Sequence, residues 1–217
     1  MKNKEIEQRT YSVALETRAE EKEGIIKGRP IVFNQRTDIG GWFEEVIEPG
    51  ALDKTDLRDV RLCLNHDTSF VYARSRRNNP NSTMRLMPDA LGMEFEANLA
   101  IEESAKARDL YTAVQREDID KMSFMFVIDN EEWENLDSDY PTRHIKSIAT
   151  VYEISAVTFP AYEGTSLEIG ARAKEALENA KLELENARAN ASRSVETEGT
   201  ENELELAKAK FNFRSKL

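Results

Sequence analysis

Apolar and polar positions alternate in short runs along most of the chain: Tyr11, Val13 and Leu15; Val60, Leu62 and Leu64; Met93, Phe95, Ala97 and Leu99; Met122, Phe124, Phe126 and Ile128; Val151, Ser155, Val157 and Phe159. A period of two predicts strands that bury one face. Between Met84 and Leu99, the turn residues Pro88, Asp89 and Gly92 separate two such runs and predict an antiparallel hairpin. From Ser104 to Glu117 the spacing changes. Ala107, Leu110, Tyr111 and Val114 recur at steps of three and four, the signature of one helical face, and Ser104 is placed to cap it. Many strands with a helix among them predict an α+β fold, mainly an antiparallel β-barrel with flanking helices, because closure removes exposed strand edges.

All six prolines, all six tyrosines and both tryptophans lie at or before Tyr162, and the remainder is built mainly from Ala, Glu, Leu, Lys, Arg, Asn and Ser. This shift divides the chain into a domain over residues 1–165 and a charged C-terminal helical tail over 166–217. In the tail, Ala173, Leu177, Ala180, Leu184, Ala187 and Ala191 follow one another at steps of four and three, a short coiled-coil-like seam weakened by its alanines. A second stretch carries Leu204, Ala207 and Phe211. Two readings of the tail stand: a solvated helix with a frayed end, or a surface for a partner.

Charge and composition narrow the function. With 41 acidic against 30 basic residues and a net charge of -11, nucleic acid is not expected as a partner. One cysteine, Cys63, leaves no internal disulfide, and two histidines cannot build the usual four-ligand zinc site. The glycines are scattered and none precedes the Lys-Ser/Thr of a phosphate loop, so no cofactor or metal is expected. The N-terminus has no apolar core of signal-peptide length, and no run approaches the roughly 18 apolar residues that cross a bilayer. A soluble intracellular protein without a membrane partner is expected.

Three positions invite chemistry. His66 follows Val60-Arg-Leu-Cys-Leu-Asn in phase with Val60, Leu62 and Leu64, which predicts a ring on the inner face: either a core histidine bonded to backbone or an oriented base. Ser123 is a small hydroxyl within Lys-Met-Ser-Phe-Met-Phe-Val-Ile, where a hydrophobe is the usual choice. Such a serine needs a hydrogen-bond partner. A neighbouring carbonyl satisfies it, whereas an imidazole both satisfies it and activates it as a nucleophile. A third group that holds the imidazole is offered by Glu153, on a strand face with Val151, Ser155 and Val157, or by His144, after Pro141 and Arg143.

Six segments, taken in order, resemble the prohead (procapsid maturation) proteases of tailed bacteriophages: Gly28-Arg-Pro-Ile-Val-Phe-Asn, Phe43-Glu-Glu-Val-Ile-Glu-Pro-Gly-Ala-Leu, Asn65-His-Asp, Leu91-Gly-Met-Glu-Phe-Glu-Ala, Met122-Ser-Phe and Glu153-Ile-Ser-Ala-Val-Thr-Phe-Pro-Ala-Tyr. The resemblance spans roughly residues 10 to 165, with one departure at Met125, where many relatives carry a small residue. It implies a serine endopeptidase related in fold to the herpesvirus assemblins, with His66 and Ser123 as the working pair. Glu153 is then the candidate third member, with His144 the alternative because the herpesvirus relatives use a second histidine.

What the resemblance implies further is a homodimer packaged inside the procapsid in the host cytoplasm. There it cuts scaffold, or the scaffolding segment of the major capsid protein, and itself, through an acyl-enzyme. The polar stretch from Ala191 to Thr200 is the expected place of self-cleavage. Backbone amides or Arg74 are the candidate oxyanion donors. Two other readings remain at this point: a non-enzymatic capsid assembly protein in which Ser123 is a packed residue, and a hydrolase of small esters.

Overall fold

The structure is a computed structural model that describes residues 6–11, 15–17, 24–158 and 178–193. Eleven strands and two helices follow one another in it: β1 (Glu7–Tyr11), β2 (Leu15–Thr17), β3 (Ile25–Val32), β4 (Thr37–Ile39), β5 (Phe43–Ile47), β6 (Val60–Leu64), β7 (Ala73–Ser75), β8 (Met84–Asp89), β9 (Gly92–Asn98), α1 (Ala105–Gln115), β10 (Lys121–Glu134), β11 (Thr142–Val157) and α2 (178–193). The expected hairpin is β8–β9. The expected helix is α1, where the Ser104 side chain accepts from the Ala107 amide and Ala107, Leu110 and Val114 are buried. The alternation from Tyr11 to Leu15 reads as one strand in sequence, but the structure gives it to two strands in different sheets.

Those sheets are not closed into a barrel, and this corrects the expected architecture. Seven strands form one sheet, with β1-β10-β11-β5-β4 as its main path and β6 and β7 branching from β11; β2-β3-β9-β8 form the other. No strand pairing joins the two among the described residues. The reason lies in β11, whose sixteen residues exceed any single partner on its far side. Its first part pairs in parallel with β5 and its last part in parallel with β6, so the sheet forks instead of curling onto itself. The sheets stack face to face across one core, with Ile26, Ile31, Met93 and Phe95 meeting Leu62, Phe124, Phe126 and Ile154, while α1 packs against β2 and β3. The class is mixed α+β and mostly strand, as expected, and the pairings are mainly antiparallel.

The described part of the tail, α2, packs against the sheet that carries β4 and β5. Ala180 and Leu184 of α2 are buried against Ile39 and Phe43, with Trp42, Trp133 and Leu136 around them, and Arg188 donates to the Leu136 and Ser138 carbonyls. Two of the six predicted seam residues thus have an intramolecular partner, on β4, β5 and the loop end of the β10–β11 hairpin. Ala173, Leu177 and the second stretch at Leu204, Ala207 and Phe211 lie outside the described residues.

One buried ionic cluster ties β1 to this frame. Arg9 binds Glu45 of β5 with both ends of its guanidinium, Nε to Oε1 at 2.6 Å and Nη2 to Oε2 at 2.8 Å, and also meets Glu7. Arg143 of β11 reaches Glu7 at 2.9 and 3.0 Å, Glu45 at 3.4 Å, and Glu131. Burial opposes the charge on Glu7, yet Arg9 and Arg143 outweigh it and hold its carboxyl below the ordinary 4.5. Burial likewise opposes the Arg143 charge, and Glu7, Glu45 and Glu131 raise its pKa regardless. Each charge is matched, as burial at this depth requires.

A folded pKa below the unfolded one means that Glu7 stabilises the fold fully above the unfolded value, and that this contribution is lost as pH falls through the folded value. Urea midpoints measured from pH 7 downward are therefore expected to decline below about pH 4.5. Glu7→Gln is expected to be less stable at pH 7 and to lose less on acidification; an identical acid profile in the variant contradicts the assignment.

Candidate active site

Ser123 owes its position to the two-sidedness of β10. Met122 and Phe124 enter the core, so the intervening serine lies on the other face. There it stands directly across from Ser155 of β11, which in turn stands across from Cys63 of β6. Period two puts Glu153 on the same face as Ser155. Three strands thus lay a polar row over a sheet whose reverse is apolar.

His66 reaches this row by a turn. The β6 strand ends at Leu64, and Asn65 and His66 both take left-handed backbone angles, φ 50° and 58°. The expectation that strand phase aims the His66 ring is therefore corrected: the ring is aimed by the αL pair that follows the strand. Asn65 secures that turn, its amide donating to the Ala156 carbonyl at 2.9 Å and its side-chain oxygen accepting from the Thr158 amide at 3.0 Å. The His66 amide donates to Ser155 Oγ at 3.1 Å.

The result is a continuous chain of hydrogen bonds. His66 Nε2 lies 2.7 Å from Ser123 Oγ, and His66 Nδ1 lies 2.5 Å from Glu153 Oε1. Ser155 Oγ donates to Glu153 Oε2 at 2.5 Å, so both carboxylate oxygens are engaged. All four residues are buried, with Ser123 and Ser155 at 0%, Glu153 at 2% and His66 at 6% exposure. With a proton on Nδ1 directed at Glu153, Nε2 presents its lone pair to the serine, the tautomer that a general base needs. Ser123 Oγ has a second neighbour, the Arg9 carbonyl oxygen at 2.7 Å. A hydroxyl carries one proton, so Ser123 donates either to Arg9 or to His66.

Of the four residues singled out in sequence, the structure brings His66, Ser123 and Glu153 together. His144 stands nine positions before Glu153 on β11 and bonds to Glu48 at 2.6 Å and Glu134 at 3.2 Å. Arg74 makes a two-point pair with Asp59, at 2.6 and 2.7 Å. Sequence reading missed Ser155 as a member of the site; the available signal was a hydroxyl two residues after a carboxylate on a strand face, where each can satisfy the other. It also gave Cys63 no neighbour. Burial, reinforced by the charge of Glu153, pushes that thiol up to about 12, which keeps it protonated and unreactive at neutral pH.

The sequence that builds this arrangement matches a known family. A search of protein families finds the caudovirus prohead serine proteases over residues 13–180. The chain belongs to that family. No curated protein and no solved structure matches it. As a prohead serine protease the chain is a capsid maturation enzyme that works with capsid proteins inside the phage procapsid, and the match runs from beyond β1 into α2.

If Ser155 positions Glu153 and the His66 backbone, Ser155→Ala should slow Ser123-dependent cleavage about tenfold, roughly 1.4 kcal/mol, with little change in melting temperature. The low-field imidazole Nδ1 proton resonance should move at the same time. An unchanged resonance and rate would show that Ser155 only fills space.

Proposed function

We propose that Ser123 is the nucleophile, His66 the general base and then acid, and Glu153 the carboxylate that orients the imidazole. The observation that carries this reading is the unbroken chain from Ser123 Oγ through both His66 nitrogens to Glu153. As Ser123 attacks a scissile carbonyl, its proton passes to Nε2, and Glu153 stabilises the imidazolium that forms. His66 then gives that proton to the leaving amine. Water, deprotonated by the same nitrogen, releases the acyl-enzyme. Kinship with the herpesvirus assemblins is part of this proposal, with a carboxylate in place of their second imidazole as the distinguishing mark.

The substrates we assign are scaffold or the scaffolding segment of the major capsid protein, followed by the protease itself, with a homodimer as the working form in the host-assembled procapsid. The rival reading, an assembly protein with a packed serine, draws on one observation: Ser123 has no exposed surface. Co-expression with the neighbouring capsid and scaffold genes separates the two. Intact masses are expected to show cleavage with the wild-type chain and none with Ser123→Ala, while His66→Ala falls by about 1,000-fold or more. Equal cleavage by wild type and Ser123→Ala would remove Ser123 from the mechanism, and no cleavage by either would favour the assembly protein.

For the tail over 166–217 we propose a role in co-packaging with the capsid or scaffold, ended by self-cleavage. Removing everything after Gly170 also strips Ala180 and Leu184 from Phe43 and its neighbours, so truncation after Arg193 is the cleaner variant. It should keep peptidase activity and reduce incorporation into proheads; equal incorporation would remove the idea.

A further inference from the structure

The burial of Ser123 has an identifiable cause. β10 has two backbone edges; beside Ser123 one is taken by β11 and the other by β1, which runs antiparallel with Thr10 opposite Ser123. A peptide that is to be cut must bring a carbonyl to Ser123 Oγ, and an extended segment does so most simply by adding to a strand edge. β1 already does this, with the Arg9 carbonyl oxygen 2.7 Å from Oγ. While the serine donates its one proton to that carbonyl, the proton is not shared with His66 Nε2. In that state β1 is held and the serine is not activated.

Its side chains are held as a substrate's would be. Arg9 is 2% exposed and is seated in two-point contact on Glu45, which is 0% exposed, and Glu7, two residues earlier, binds Arg143. With β1 absent, Glu45 keeps the Arg143 contact at 3.4 Å and loses its closest counter-charge. A buried carboxylate in that state favours the arrival of another cation. The family match begins at residue 13, so the segment that covers the serine lies outside the part matched to the family.

We propose that β1 is a built-in, substrate-like occupant of the peptide site, and that Glu45 and Arg143 select substrates with a basic residue at the carbonyl facing Ser123 and an acidic residue two positions before it. The proposal rests on Ser123 and His66 being the reactive pair. The protease is then closed as folded and opens when β1 leaves the β10 edge. Glu45 is the specificity-determining residue, and a protein substrate competes with β1 for one place.

A fluorophosphonate, whose phosphorus bonds to an activated serine oxygen as fluoride departs, reads this opening directly. Its rate of labelling follows the fraction of molecules with the site open. In the full chain, Arg9→Glu sets a carboxylate against Glu45 and should raise the rate at least about tenfold, with Arg9→Ala raising it less. A synthetic peptide of residues Lys4–Val13 should slow both variants again, and the same peptide carrying Arg9→Glu should not. Unchanged labelling in folded variants, or indifference to the peptide, overturns the proposal. Should both variants unfold, the wild type decides: in urea below the global transition, labelling should rise together with hydrogen exchange of the β1 amides. Labelling that follows only global unfolding also overturns it. If procapsid cleavage needs Ser123 while labelling ignores Arg9, this proposal fails alone. If no form is labelled and cleavage survives Ser123→Ala, the serine-protease mechanism beneath it fails too.

Discussion

The oxygens of a buried carboxyl group need hydrogen-bond partners, and the site is organised around meeting that demand for Glu153. Its two oxygens take His66 Nδ1 and Ser155 Oγ, and Ser155 Oγ also accepts the His66 amide. The ring is thereby fixed at one nitrogen and through its own backbone, which leaves Nε2 directed at Ser123. Each contact depends on strand register. A slip of one residue between β10 and β11 would turn Ser123 to the face occupied by Phe124, and the row would vanish.

Register is secured on the apolar side. Met122, Phe124, Ile154 and Ala156 are buried between the sheets, and the same alternation that commits them to the core delivers Ser123, Glu153 and Ser155 to the opposite face. Packing and chemistry are thus two faces of one ladder. The parallel pairing of β6 with β11 adds the remaining component, since Asn65 and His66 leave the end of β6 in a left-handed turn anchored on Ala156 and Thr158.

Local elements were legible in the sequence because local rules governed them: the β8–β9 hairpin through Pro88, Asp89 and Gly92, α1 through its spacing and Ser104, and the cores of β6, β10 and β11 through period two. The serine within an apolar run and the glutamate on a buried face pointed to Ser123 and Glu153. Three features were hidden because they arise between distant segments. The forked sheet follows from two parallel partners sharing β11, which no periodicity encodes. His66 continues the strand phase in sequence, but backbone angles after Leu64 decide its direction. The ionic cluster combines Glu7, Arg9, Glu45 and Arg143, although a period-two reading of Phe43, Glu45 and Ile47 did hold a signal, a charge on an apolar face.

The parallel pairing of β6 with β11 joins residues about ninety positions apart, and such non-local contacts are the slow ones in chain assembly because the intervening loop must be closed first. Before that pairing forms, a newly made chain has Ser123 on one segment and His66 on another. On the proposed mechanism the nascent polypeptide cannot assemble the pair before the long-range sheet is complete. The delay is written into chain connectivity and requires no inhibitor.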